Sequence, residues 1–301
     1  MGVHDLGFRS YEGERCGTLS RVGAIIASDV RSFFKSWKFL IYFAFSVSPA
    51  IFQLVIVYVW FIVFGQGQQM GMRRFGRESG GILVRFFGAS VTDAAFYYAV
   101  PLTLGIFLAI IFSGVVGATI VARDRKSNAL EIYFTRGIRP RHYFMGKWGA
   151  CSFMLLASLL LPYLVVWLWA WTLSPDASFL QDTWRMLPGV VLGQLFFCGS
   201  LGFLAVALSV SSDSPPFVVI RWCGALFGLH MVARLFVRVL DNDAWLLLSP
   251  WSVLYRIGGE IAGVDPGNEL RLGSCLIVYA VWMTLAGLWL RRFLRPVEVV
   301  G

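Results

Sequence analysis

The sequence predicts an all-α integral membrane protein of about six transmembrane helices, and three observations carry that expectation. Hydrophobic residues make up 57% of the 301-residue chain and charged ones only 14%, well below the charged share of a soluble domain. Several apolar runs exceed the ~18 residues that a helix needs to cross a hydrocarbon core. Basic residues collect in alternate connections, as they do where a chain is threaded through a bilayer. The spans must be helices, because an open sheet would leave backbone groups unpaired in lipid.

The first element precedes the spans. Leu19, Val22, Ile26, Val30, Phe33 and Trp37 recur at spacings of three and four, with Arg21, Ser28, Arg31 and Lys35 between them. That pattern is an amphipathic helix with a basic polar face. With no soluble core to bury its stripe, it is expected to lie in the membrane interface. Six apolar segments follow, at Phe39–Phe64, Phe96–Val121, Trp148–Leu173, Leu187–Val210, Phe217–Val237 and Leu272–Leu290. The chain thus divides into an N-terminal segment (1–36), a six-helix membrane domain (37–295) and a short tail (296–301).

Charge sets the expected orientation. Arg9, Arg15, Arg21, Arg31, Lys35 and Lys38 precede the first span. Arg123, Arg125, Lys126, Arg136, Arg139, Arg141 and Lys147 lie between the second and third. Arg291, Arg292 and Arg295 follow the last. Threading six spans puts all of these on one side, where basic residues outnumber acidic ones, whereas the other side is balanced. The positive side is expected to be the cytoplasm, with both termini there, in a multi-pass protein of the plasma membrane, most simply a bacterial inner membrane. The excess of positive charge suits anionic lipid headgroups and requires no nucleic acid.

The connection from Ala122 to Lys147 reads ARDRKSNALEIYFTRGIRPRHYFMGK. Asn128 is placed to cap a helix, with Glu131 three residues on reaching back to it. About two turns run to Arg136, and Gly137 stands where a left-handed residue ends a helix. Pro140 then suits the first position of a second helix that continues into the third span. Leu130, Ile132, Tyr133 and Phe134 give the short helix an apolar face that wants a partner surface.

This stretch resembles the first cytoplasmic loop of ABC-2 type ABC transporter permeases. In that family an acidic–basic pair precedes a short helix of the N-A/T-L-E type, and an R-P-I-S-R-like turn and a Gly-Lys pair follow. Asp124-Arg125, Asn128-Ala129-Leu130, Tyr133, Arg136, Ile138, Arg139, Arg141, Tyr143 and Gly146-Lys147 match that pattern; Gly137 stands where the family usually has proline, and Pro140 where serine is common. The Ser-rich link of Ser209, Ser211, Ser212 and Ser214 and the Leu248-Ser249-Pro250 triplet before the last span extend the similarity. The resemblance implies the permease subunit of an exporter, working as a homo- or heterodimer with a second permease chain and with separate ABC ATP-binding subunits. It also implies that the short loop helix is a coupling helix seated in a cleft of the ATPase, with Asn128, Leu130, Glu131, Tyr133, Phe134 and Arg136 at the contact.

No cofactor is expected in this chain; ATP and Mg²⁺ would be bound by the partner. Gly146-Lys147 lacks the remainder of a phosphate-binding loop, since position 141 is Arg and 148 is Trp. His4, His142 and His230 are far apart, so no metal site is expected. Ser32-Phe33-Phe34-Lys35 has S-x-x-K spacing without the companion motifs that would give it a mechanism. Polar side chains within apolar runs are costly and mark sites by default: Gln53, Asp93, Gln194, Arg221 and, at i, i+4 in the fifth span, His230 and Arg234, which either line an outer exit or, with Arg221, serve as snorkelling anchors. Pro162 is expected to kink the third span, and Trp167, Trp169 and Trp171 to form an outer aromatic belt. A membrane anchor without transport and an intramembrane enzyme remain as alternative readings.

Overall fold

The computed structural model describes residues 17–64, 89–130, 133, 138–174, 178–264 and 270–293, and every regular element among them is helical. Among the described residues six helices are long and apolar enough to cross a membrane: Trp37–Ile62, Ile106–Lys126, Pro140–Leu173, Leu187–Ser209, Pro215–Leu240 and Leu272–Arg292.

Helix α1 (Thr18–Lys35) leads through an extended Ser36 into α2 (Trp37–Tyr58), the first span, which ends in a π-helical turn at Val59–Phe64. The α1 stripe does not stand free. Ile25 and Phe33 are buried, and Gly146 and Gly149 of the third span let Ile25 and Ile26 approach so closely that a Cβ on either glycine would come within 2.7 Å. The stripe has no soluble core to bury against, yet much of it packs on the bundle. Leu19 and Trp37, at 85% and 72% exposed, remain uncovered.

The second span is broken into α3 (Ala94–Leu104), α4 (Ile106–Ser113), a π-helical segment at Gly114–Ala118 and α5 (Thr119–Lys126). Its membrane-length part starts at Ile106, ten residues later than the apolar run suggests. Pro101 has no N–H to give the ladder and Gly105 leaves helical geometry at ψ 3°, so the helix restarts there. The offset small residues of this span face different neighbours. Gly114 lies against Trp222 of the fifth span, whose Nε1 donates to Ser113 Oγ at 2.9 Å. Gly117 lies against Cys151 and Ala205 of the third and fourth. Where α5 restarts, its first N–H groups lack partners within the helix. Ser209 Oγ of the fourth span accepts from Val121 and Ala122 at 2.9 and 3.1 Å.

The third span comprises α6 (Pro140–Leu159) and α7 (Leu161–Leu173) and breaks at Leu160, as Pro162 predicts. After the short α8 (Ser178–Thr183) comes α9 (Leu187–Ser209), a well-enclosed helix, then α10 (Pro215–Cys223), a π-helical segment at Gly224–Gly228 and α11 (Leu229–Leu240). Trp167 leaves the expected belt: it is buried and its Nε1 donates to Thr183 Oγ1 of α8 at 3.0 Å, while Trp169 and Trp171 stay exposed.

Helix α12 (Pro250–Ala262) was not anticipated, being too short to span. Ser249 caps it, accepting from Ser252 N at 3.2 Å, and Pro250 opens it. This gives Leu248-Ser249-Pro250 a physical role. It packs on α9, where Gly193 admits the Gly258 carbonyl, and on α3, where the Tyr98 hydroxyl lies against Gly258 and donates to the Tyr255 carbonyl at 3.2 Å. The last span, α13 (Leu272–Phe293), lies at the periphery: only 6% of its apolar window is buried, against 61% for α9. Ile277, Leu285 and Leu288 therefore face lipid or another chain.

Candidate functional site

The densest polar cluster among the described residues lies where α1, α5 and α6 meet Tyr133 of the connection between the second and third spans. Lys147, only 1% exposed, places Nζ 2.9 Å from Asp29 Oδ1 of α1 and 2.7 Å from Asp124 Oδ2 of α5. The Tyr143 hydroxyl, one turn before Lys147, donates to the same Asp124 oxygen at 2.7 Å. The rings of Tyr143 and Tyr133 lie 5.3 and 5.7 Å from Nζ and 5.3 Å from each other. One ammonium thus ties α1, the end of the second span, the start of the third and Tyr133 of the connection between them together. Arg123 stands over Phe33 at 5.2 Å and is the second cation that Asp29 faces.

Burial of a charge this deep is tolerated only when its partners are well placed, because desolvation costs several kcal/mol per ion. Asp29 shows the balance. Burial pushes its carboxyl above the ordinary value of 3.8, while attraction to Lys147 pulls it back, and burial wins. Its Oδ2 has no partner. The folded chain therefore holds this proton more tightly than the unfolded chain does. The resulting stabilisation is complete below pH 3.8 and is lost as pH rises through the higher folded value.

A second tie lies beside the first. Arg125 pairs with Asp213 at 2.6 Å and donates to the Val210 carbonyl, joining the end of α5 to the link after α9. Among the residues expected to dock an ATPase, Asn128 takes φ 54°, the left-handed conformation that closes α5. It does not have the extended geometry of an N-cap, so the capping-box reading is corrected there. Leu130 and Tyr133 are half-buried against the chain's own core. The Ile138 N–H donates to the Tyr133 carbonyl at 3.3 Å, a bond of the type that closes a helix. Glu131, Phe134 and Arg136 lie outside the described residues.

His230 is buried, with Nδ1 3.0 Å from Ser249 Oγ and 3.4 Å from Ser252 Oγ, so it ties α11 to the start of α12. Arg234 is exposed one turn along. Arg221 reaches Ser211 Oγ at 3.1 Å and covers the Phe217 ring at 4.2 Å, as a snorkelling arginine does. Asp93 accepts from Ser90 N at 2.8 Å in the turn before α3, and Gln53 Nε2 donates to the Phe96 carbonyl at 2.8 Å. The Gln194 carboxamide is fully buried without a partner. Among the described residues no group of three or more His, Cys, Asp or Glu could hold a metal ion.

Asp29 and the pairing of Lys147 escaped the sequence reading, although a signal existed. Asp29 occupies the same i, i+4, i+8 row as Ile25 and Phe33, and Lys147 the same row as Tyr143 and Cys151. A charge in an otherwise apolar row of one helix calls for an opposite charge in a row of another. No family model matches the chain, and no curated protein matches it.

Proposed function

We propose that the chain is the membrane subunit of an ABC-2 type exporter, moving a substrate when separate ATP-binding subunits close. The observation that supports this most is the Lys147 cluster. It holds Tyr133 of the connection against three helices of the bundle, so that a push on that connection would be delivered to the second and third spans together. The bundle around it is an assembly of six apolar helices. On this reading the second permease copy or partner chain would cover part of the apolar periphery, and substrate would pass between copies. Nucleotide would be held by the ATPase subunits.

The test is co-purification. Chain expressed with an ATP-binding subunit encoded beside it is expected to recover that subunit and to show ATP hydrolysis that rises with transported substrate. Rigorously pure chain alone is expected to hydrolyse none. Hydrolysis by the chain alone, or a stable chain that recruits no ATPase, would defeat the proposal.

Orientation is tested separately. Ser127 is exposed at the end of α5. Ser127→Cys is expected to react with an impermeant maleimide only after the membrane is opened, with a cysteine-free background as control. Labelling in intact cells would place this connection outside and overturn both the orientation and the coupling role.

A further inference from the structure

The helices α1 and α6 begin side by side, and their first turns carry charge that the chain does not neutralise. Ile25 sits on Gly146 and Ile26 on Gly149, so the two helices run in the same direction. One turn back along each, this register sets Arg21 beside His142, and Arg139 and Arg141 flank the histidine. The three arginines are exposed. Basic residues a turn or two away are matched: Lys147 with Asp29 and Asp124, Arg125 with Asp213. Among the described residues no carboxylate pairs with Arg21, Arg139 or Arg141.

Three guanidinium groups from two elements stand around His142, and that arrangement becomes favourable when an anion joins it. Two further features point the same way. The Nδ1 of His142 is buried without a hydrogen-bond partner. The cluster also surrounds the N-terminus of a 20-residue helix, whose N-cap residue Arg139 supplies no side-chain acceptor to the first turn. Its dipole adds to the attraction for negative charge, although the His142 and Tyr143 N–H groups already donate to the Arg139 carbonyl at 2.9 and 3.2 Å.

We propose that Arg21, Arg139, Arg141 and His142 form a binding site for the headgroup phosphate of an anionic phospholipid in the adjoining leaflet. The site stands where α6 begins its path into the apolar bundle. Met145, one turn from Arg141, is 48% exposed, and Leu19 on α1 is 85% exposed. These apolar surfaces beside the cations suit acyl chains, as an amphipathic membrane-surface element requires. The lipid would act as a counter-ion that holds α1 against α6, and it needs no transport to do so.

Native mass spectrometry of the full chain released from detergent tests the proposal, with phosphatidylglycerol as probe and phosphatidylcholine as reference. Phosphatidylglycerol is expected to be retained selectively. Affinity should fall about fivefold for each of Arg21→Gln, Arg139→Gln and Arg141→Gln, and roughly a hundredfold for the triple variant. Arg291→Gln with Arg292→Gln, exposed cations at the far end of the chain, should leave it unchanged. A triple Arg→Lys variant, which keeps the charge and reports on folding, should retain most of the binding. Equal loss in the Arg291/Arg292 control would mean diffuse attraction only and sink the proposal. Unchanged retention by the triple Gln variant would do the same. Displacement of the lipid by inorganic phosphate at equal concentration would make the ligand a free phosphate and refute the lipid.

Discussion

Replacing Lys147 by Met is expected to destabilise the chain by about 3–5 kcal/mol, because the change leaves a half-buried pair of carboxylates without their shared, fully buried cation. Asp29 and Asp124 both approach Nζ to within 2.9 Å, so without the ammonium they repel each other at short range. Asp124 keeps the Tyr143 hydroxyl, but Asp29 keeps no hydrogen-bond partner and relies on Arg123. The measurement is the unfolding midpoint of purified protein in detergent, together with the fraction that stays monodisperse. Asp29→Asn should cost much less. Burial already works against the charge on this group, and an amide carries none. The same substitution should remove the loss of stability that accompanies rising pH above the ordinary carboxyl value of 3.8. The sharpest check is the combination: Lys147→Met with Asp29→Asn and Asp124→Asn should recover much of the loss, since neutralising a whole buried cluster is near neutral. If Lys147→Met alone unfolds at the parent midpoint, the cluster does not hold these helices together.

The second large effect concerns coupling. Leu130→Asp with Tyr133→Asp is expected to leave membrane insertion intact, because both residues lie outside the apolar spans. Partner ATPase recovery should fall at least tenfold and transport should be lost. On the proposed function, the short connection offers the partner few anchors, and a charge set against an apolar surface removes most of the contact energy. The structure adds a distinction that the sequence lacks. Tyr133 also stacks at 5.3 Å on Tyr143 and lies over Lys147, so its replacement disturbs the cluster as well as any partner surface. Tyr133→Phe keeps the ring and should preserve both recovery and transport. Tyr133→Asp alone should separate the two: partner bound but hydrolysis no longer linked to transport. Leu130→Asp should act on recovery. Undiminished recovery and normal transport in the double variant would assign this helix another role.

Much of the bundle was legible before any coordinates. Lipid admits helices as the simplest spanning element, so long apolar runs translate directly into spans, and five of the six begin or end within a few residues of the expected places. The Pro162 break, the start at Pro140 and the helical α1 are likewise local matters, settled by missing N–H groups and by a 3.6-residue period. Where neighbours decide, the sequence alone was insufficient. The α1 stripe reads the same whether lipid or Gly146 and Gly149 cover it. Helix α12 is too short to register as a span, yet α9 and α3 bury it through Gly193 and Tyr98. Asn128 looks like a cap for the helix after it and instead closes the helix before it, because Asn tolerates the left-handed backbone at that end. The candidate site shows the same division. Asp124, Tyr133, Tyr143 and Lys147 stand in one short stretch that a motif can flag. Asp29 lies 118 residues from Lys147, and only the packing of α1 on α6 reveals that it supplies the opposing charge.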